Sequence, residues 1–151
     1  MKKLLMCLLC SMLLLLPGTV YAVEDFMPSF DMCTVVRVID GDTFEANCRY
    51  RGDGVKVRVL GIDTYESREN SHLAKQLGDN VTKEQALAKG RYAKHCAQRF
   101  LKDTAVVLVF PDRRYDMYNR LLSKVYVVVG SRRFVSYTRL LRKYCRQGIY
   151  K

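Results

Sequence analysis

No apolar run in this 151-residue sequence reaches the roughly 20 residues that a bilayer span needs. The longest, residues 4–16, is broken by Ser11 and stops well short. The chain also lacks an internal repeat and any low-complexity tract, which sets aside solenoid and disordered architectures. Beyond residue 22 no two cysteines stand two to four residues apart, the spacing that a structural zinc site normally shows. Carboxylates are the minority charge, with 15 Asp and Glu against 26 Lys and Arg, a formal +11. Such a balance predicts attraction to something anionic, either nucleic acid or an acidic membrane surface. The length excludes two full-sized domains, and the 49% hydrophobic, 27% charged composition is that of a globular chain.

Residues 1–22 begin with Lys2 and Lys3, continue through the short apolar run and end on Val20-Tyr21-Ala22, a small-residue cleavage pattern. This reads as a secretory signal removed after Ala22. Cys7 and Cys10 lack the small residues expected ahead of a lipoprotein cysteine. Removal takes two lysines and no acid, so residues 23–151 form a single domain that keeps a charge of +9. That domain carries four cysteines, Cys33, Cys48, Cys96 and Cys145, an even number delivered to a compartment where disulfides persist. A secreted or periplasmic protein without stable membrane insertion is expected.

Residues 34–39 (TVVRVI) and 43–50 (TFEANCRY) have extended character on either side of Asp40-Gly41, a strong turn dipeptide, and so predict a hairpin. With the turn centred on Asp40 and Gly41, positions summing to 81 face each other, and Cys33 and Cys48 are such a pair. A cross-strand disulfide is predicted on that register. Residues 55–62 alternate as a third strand, placing Val55, Val57 and Val59 on one face and Lys56, Arg58 and Leu60 on the other. Residues 67–80 are polar, without periodicity, and read as a long loop. Ala86, Gly90, Ala93, Ala97 and Phe100 recur at helical spacing, predicting a helix over 82–102. Residues 104–110 read as a buried strand, 123–129 with 133–135 as a hairpin, and 136–147 as a helix. In the last helix an apolar stripe through Tyr137, Leu140, Leu141, Tyr144 and Cys145 opposes Arg139, Arg142, Lys143 and Arg146. Cys96 and Cys145 would bridge if the two helices meet, and would otherwise be buried thiols. The order of elements predicts an α+β fold, mainly β: a five-stranded OB-type barrel packed against two to three helices.

Two acidic clusters end extended segments, Asp40-Gly41-Asp42-Thr43 and Asp63-Thr64-Tyr65-Glu66. Clustered carboxylates in so basic a chain repel one another unless a cation neutralises them, and oxygen-rich sites suit Ca²⁺ or Mg²⁺. Arg58 stands on the polar face of the third strand and needs an anionic partner. Residues 113–120 add a basic, tyrosine-rich loop suited to phosphate contacts and to stacking.

Together these pieces resemble the staphylococcal nuclease (thermonuclease) family. V-I-D-G-D-T at residues 38–43, R-x-x-x-x-D-T-x-E from Arg58 to Glu66 and R-x-D-x-Y-x-R from Arg114 to Arg120 occur in family order, over residues 35–129. The resemblance implies that Asp42 and Asp63 bind Ca²⁺ with the Thr64 carbonyl, and that Asp40 supports the metal. It implies Glu66 at the position of the general base, Arg58 and Arg120 holding the scissile phosphate, and Tyr118 contacting a terminal phosphate; Arg114 and Tyr115 are further substrate-binding candidates of the same loop. The activity implied is Ca²⁺-dependent hydrolysis of DNA and RNA to 3′-phosphate ends by a monomer. A noncatalytic OB-type nucleic-acid-binding module is the alternative, since OB folds bind single strands through a basic groove with aromatics. Tyr65 replaces the family's usual proline, which should loosen the backbone at Glu66. Asn119 replaces a common glycine, Met117 a lysine of the staphylococcal protein, and the G-L-A-x-V-Y region has only an echo in residues 148–150.

Overall fold

The computed structural model describes residues 29–77 and 81–151; the signal segment expected at residues 1–22 lies outside the described residues. Six strands, β1 (Phe30–Asp40), β2 (Thr43–Cys48), β3 (Gly52–Val59), β4 (Ala105–Val109), β5 (Leu121–Val129) and β6 (Arg133–Ser136), lie in the order β3-β2-β1-β4-β5-β6. A parallel pairing of β3 with β5, through Val57 with Leu121 and Val59 with Ser123, closes the first five into a barrel. This is the OB-type α+β fold that the order of elements predicts, with β6 added outside the closure.

Alternation explains the interior. Val35, Phe44, Ala46, Val57, Val106, Leu108 and Leu121 are wholly buried on the inward face. One end is plugged by α2 (Lys83–Leu101), whose small residues Ala93 and Ala97, with Cys96 and Leu101, face the barrel. Thr82 caps this helix by accepting from the Gln85 backbone, while the Gln85 side chain accepts from Thr82 N–H. The short α3 (Tyr137–Tyr144) follows β6, and a 3₁₀ turn (Arg146–Gly148) leads into the last described residues.

The β1–β2 hairpin turns at Gly41-Asp42, one residue later than the sequence predicts. Asp40 faces Thr43, Val38 faces Phe44, and Val35 faces Ala46, because the register slips at Ile39 and again at Val36. The two slips offset the displaced turn, and Cys33 faces Cys48 after all, bonded to it with Cα atoms 4.1 Å apart. Such irregularities also curl a strand, which favours closing a small barrel. A second disulfide joins Cys96 of α2 to Cys145 just beyond α3, Cα atoms 6.1 Å apart. Residues 67–80 are not the featureless loop expected: they include the helical turn α1 (Leu73–Gln76), which buries Leu73 and Gln76. Among the described residues no helix is long and apolar enough to cross a membrane.

Candidate functional site

Barrel register assembles the site. Thr43 pairs with Arg58 across β2–β3, and Val57 pairs with Leu121 across β3–β5. Asp42, Arg58 and Arg120, the first and last flanking those pairs in the chain, therefore reach one end of the barrel together. Arg120 Nη1 donates to Thr43 Oγ1 at 3.4 Å. After β3 the chain bends at Gly61, which takes a left-handed φ of 78°, and delivers Asp63 and Glu66 to the same place. The result is a cleft of about 460 Å³ lined by Asp40, Asp42, Arg58, Asp63, Glu66, Tyr118 and Arg120, with Arg37, Lys56, Arg68 and His72 around them. Thr64 lies buried beneath the cleft, whereas Arg114 and Tyr115 do not line it. The Arg114 carbonyl accepts from Leu122 N–H, and Tyr115 bridges to Leu121.

Arg58 spans the two predicted metal carboxylates. Its Nη2 donates to Asp63 Oδ1 at 2.6 Å, and Nη1 lies 2.6 Å from Asp42 Oδ2 but off the hydrogen-bond line, an ion pair. Asp42 also accepts from Thr43 Oγ1, Thr64 N–H and Thr64 Oγ1 at 2.7 to 3.0 Å. Asp40 accepts from the Ser67 hydroxyl and backbone. Asp42 and Asp63 offer oxygen donors, the kind a hard divalent ion such as Ca²⁺ takes, and the single charge of Arg58 leaves one of their two negative charges uncompensated. The cysteine-containing cluster Asp31, Cys33 and Cys48 does not fit a metal, since its sulfurs are bonded to each other and Asp31 accepts from Arg51 and Tyr50.

Burial raises the Glu66 carboxyl above the ordinary glutamate range; the hydrogen bond from Asn70 opposes this, Asp40 and Asp42 add to it, and His72 opposes it. Arg120 is held by Asp116, which accepts from Arg120 Nε at 2.7 Å and from the backbone N–H of Tyr118 and Arg120 at 2.9 Å. Burial works against the Asp116 carboxylate, but the hydrogen bonds from Arg120 and Tyr118 outweigh it and keep its pKa low. Asn119 stands at φ 57°, a left-handed position that asparagine tolerates better than most residues.

Several supports are not evident in the sequence. Gln76, 4% exposed, donates to the Thr64 carbonyl and accepts from Glu66 N–H, both at 2.9 Å. Gly90 of α2 lies so near the Glu66 backbone that a Cβ there would meet the Glu66 carbonyl oxygen at 2.0 Å. Tyr137, wholly buried, donates to the Gly41 carbonyl at 2.6 Å beneath the acidic turn. Residues 148–151 run antiparallel to 63–65: Asp63 N–H donates to the Lys151 carbonyl, and Tyr65 N–H to that of Gly148. This strap corrects the expectation for Tyr65. A proline could not donate that bond, and Tyr65 is further packed edge-on against Tyr150, ring centres 5.4 Å apart. Tyr150 itself is a strut, its hydroxyl bonded to the Lys75 carbonyl.

No protein-family model matches the chain. It is similar to the uncharacterized protein MJ1439 of Methanocaldococcus jannaschii, with 33% identity over 122 residues, covering 77% of this chain. The chain spans 58% of that relative's length.

Proposed function

We propose that the chain is a nuclease of the staphylococcal nuclease type, hydrolysing phosphodiester bonds of DNA and RNA. The observation that carries this reading is the meeting of Asp42, Arg58, Asp63, Glu66 and Arg120, from separate segments, in one open cleft. Attack of water on a phosphodiester gathers negative charge on the non-bridging oxygens, and two guanidiniums beside the scissile phosphate stabilise that charge. Glu66 is placed to orient the water or take its proton. Asp42 and Asp63, with the Thr64 carbonyl, would hold Ca²⁺, which supplies further positive charge to the phosphate when bound. Cleavage on the 5′-oxygen side leaves 3′-phosphate and 5′-hydroxyl ends. Two disulfides suit an oxidising compartment, and with the segment at residues 1–22 they support secretion or export to a periplasm, where the protein acts as a monomer.

Digestion of supercoiled plasmid and of RNA by residues 23–151, with calcium, magnesium or chelator, tests the reading. Cleavage that requires calcium and falls about 10²-fold or more in Arg120→Ala is expected. Retarded but uncleaved nucleic acid under every condition would replace the nuclease by a binding module.

A further inference from the structure

The basic face of α3 is not used by the cleft. Arg142 and Arg146, together with Ile149, Tyr150 and Lys151, line a second, shallow groove of about 490 Å³. It holds three cations and no Asp or Glu, and among the described residues none of the three forms an ion pair. The Arg142 guanidinium is not loose, since its Nη2 donates to the Gly61 carbonyl at 2.9 Å. That bond sets a charge against the loop running from β3 to Asp63.

One backbone pairing links a residue of the groove to a residue of the cleft. Asp63 lines the cleft, and its N–H is bonded to the Lys151 carbonyl while Lys151 N–H donates back to Asp63. Lys151 lines the groove. A linear polyanion held by Arg58 in the cleft would have only that one pair of backbone segments to cross to reach the three further cations. The apolar floor of Ile149 and half-buried Tyr150 suits sugars between phosphates. A shallow concave groove fits a flexible strand, whereas a flat bilayer would engage a convex face.

We infer that this groove is an extended subsite for the phosphate backbone of single-stranded nucleic acid. It engages the strand beyond the nucleotides held in the cleft. The inference rests on the nuclease reading of that cleft, and it predicts that affinity depends on strand length. Fluorescence anisotropy of the chain in chelator, with a labelled dinucleotide and an oligothymidylate of roughly 12 nucleotides, measures this. The longer strand binds more tightly. Arg142→Gln with Arg146→Gln lowers the slope of log affinity against log salt for the long strand by about 1.4, at about 0.7 per cation, and leaves the dinucleotide unchanged. Arg146→Gln alone, at an exposed residue, loses about half of that and guards against a misfolded double variant.

Equal binding of both strands, with variants indistinguishable from the unaltered chain, overturns the subsite and leaves the cleft reading intact. Failure of the unaltered chain to bind either strand overturns the subsite, while cleavage of plasmid and RNA with calcium judges the nuclease reading separately. Loss of binding to phosphatidylserine vesicles in the variants, with oligonucleotide affinity kept, assigns the groove to a membrane surface and overturns the inference.

Discussion

Gln76 illustrates how the acidic loop keeps its shape. A buried amide that serves one carbonyl and one N–H of the same loop cannot be replaced by a hydrocarbon without leaving both unpaired. Gln76→Leu should therefore lose about 1–3 kcal/mol in urea denaturation, and an unchanged midpoint would show that water replaces the amide. Tyr137 makes a pH-dependent contribution. Burial, and then the charge on Asp42, push its hydroxyl well above the ordinary value of 10.0. The unfolded chain ionises this tyrosine above about pH 10 while the folded chain resists, so the stability it contributes is present below that pH and lost as pH rises further. Tyr137→Phe should be less stable at neutral pH by about 1 kcal/mol yet lose less on going alkaline, as thermal melts on both sides of pH 10 would reveal. Asp40, Asp42, Arg58, Asp63, Glu66 and Arg120 were legible because they lie in contiguous motifs, whereas Arg37, Lys56 and Arg68, which line the cleft from outside those motifs, were not. Gln76 and Tyr137 were no more legible, since each acts on a backbone atom of another segment, and neither residue type marks that by itself.

At the scale of elements, α2 positions Glu66 through the absence of a side chain. Alanine is favoured over glycine inside a helix by about 1 kcal/mol, but a Cβ at residue 90 would overlap the Glu66 carbonyl and the Ser67 nitrogen. Backbone cannot yield as a side chain does, and overpacking of this kind costs about 1–3 kcal/mol. Gly90→Ala should accordingly destabilise the fold on balance, and lower the proposed nucleic-acid cleavage, more than Ala88→Gly, which pays only the helix penalty; parity between the two would refute the contact. Periodicity placed Gly90 on the buried stripe but could not reveal what it touches. Apolar, β-branched composition and turn residues, with alternation in β3, located β1 to β5 within a few residues. The hairpin register came out right at the cysteines although the turn was misplaced, because residue counting cannot see Val36 and Ile39 slipping in opposition to it.

For the whole molecule, the two disulfides do different things. Cys33–Cys48 closes a loop of about 16 residues, the β1–β2 hairpin of the barrel, and should contribute ~3 kcal/mol, while Cys96–Cys145 closes about 50 and should contribute ~4 kcal/mol. The second also anchors the segment from which Gly148 and Lys151 reach the acidic loop. Replacing Cys96 and Cys145 by alanine should lower the melting temperature and expose the amides of Asp63 and Tyr65 to hydrogen exchange. Replacing Cys33 and Cys48 should lower the melting temperature alone, and equal protection of those amides in both variants would deny the strap its role. Spacing suggested the Cys96–Cys145 bridge only as one of two possibilities, because the separation of two helices is not written in either.

The strap has a consequence for the order in which the protein comes into being. A ribosome releases the acidic loop long before it makes residues 148–151, so the N–H groups of Asp63 and Tyr65 must wait for acceptors that do not yet exist. The cleft is thus among the last parts of the molecule to be completed. A nascent chain, still threading through the cell that makes it, carries the acidic residues of the cleft before it carries the scaffold that holds them in place.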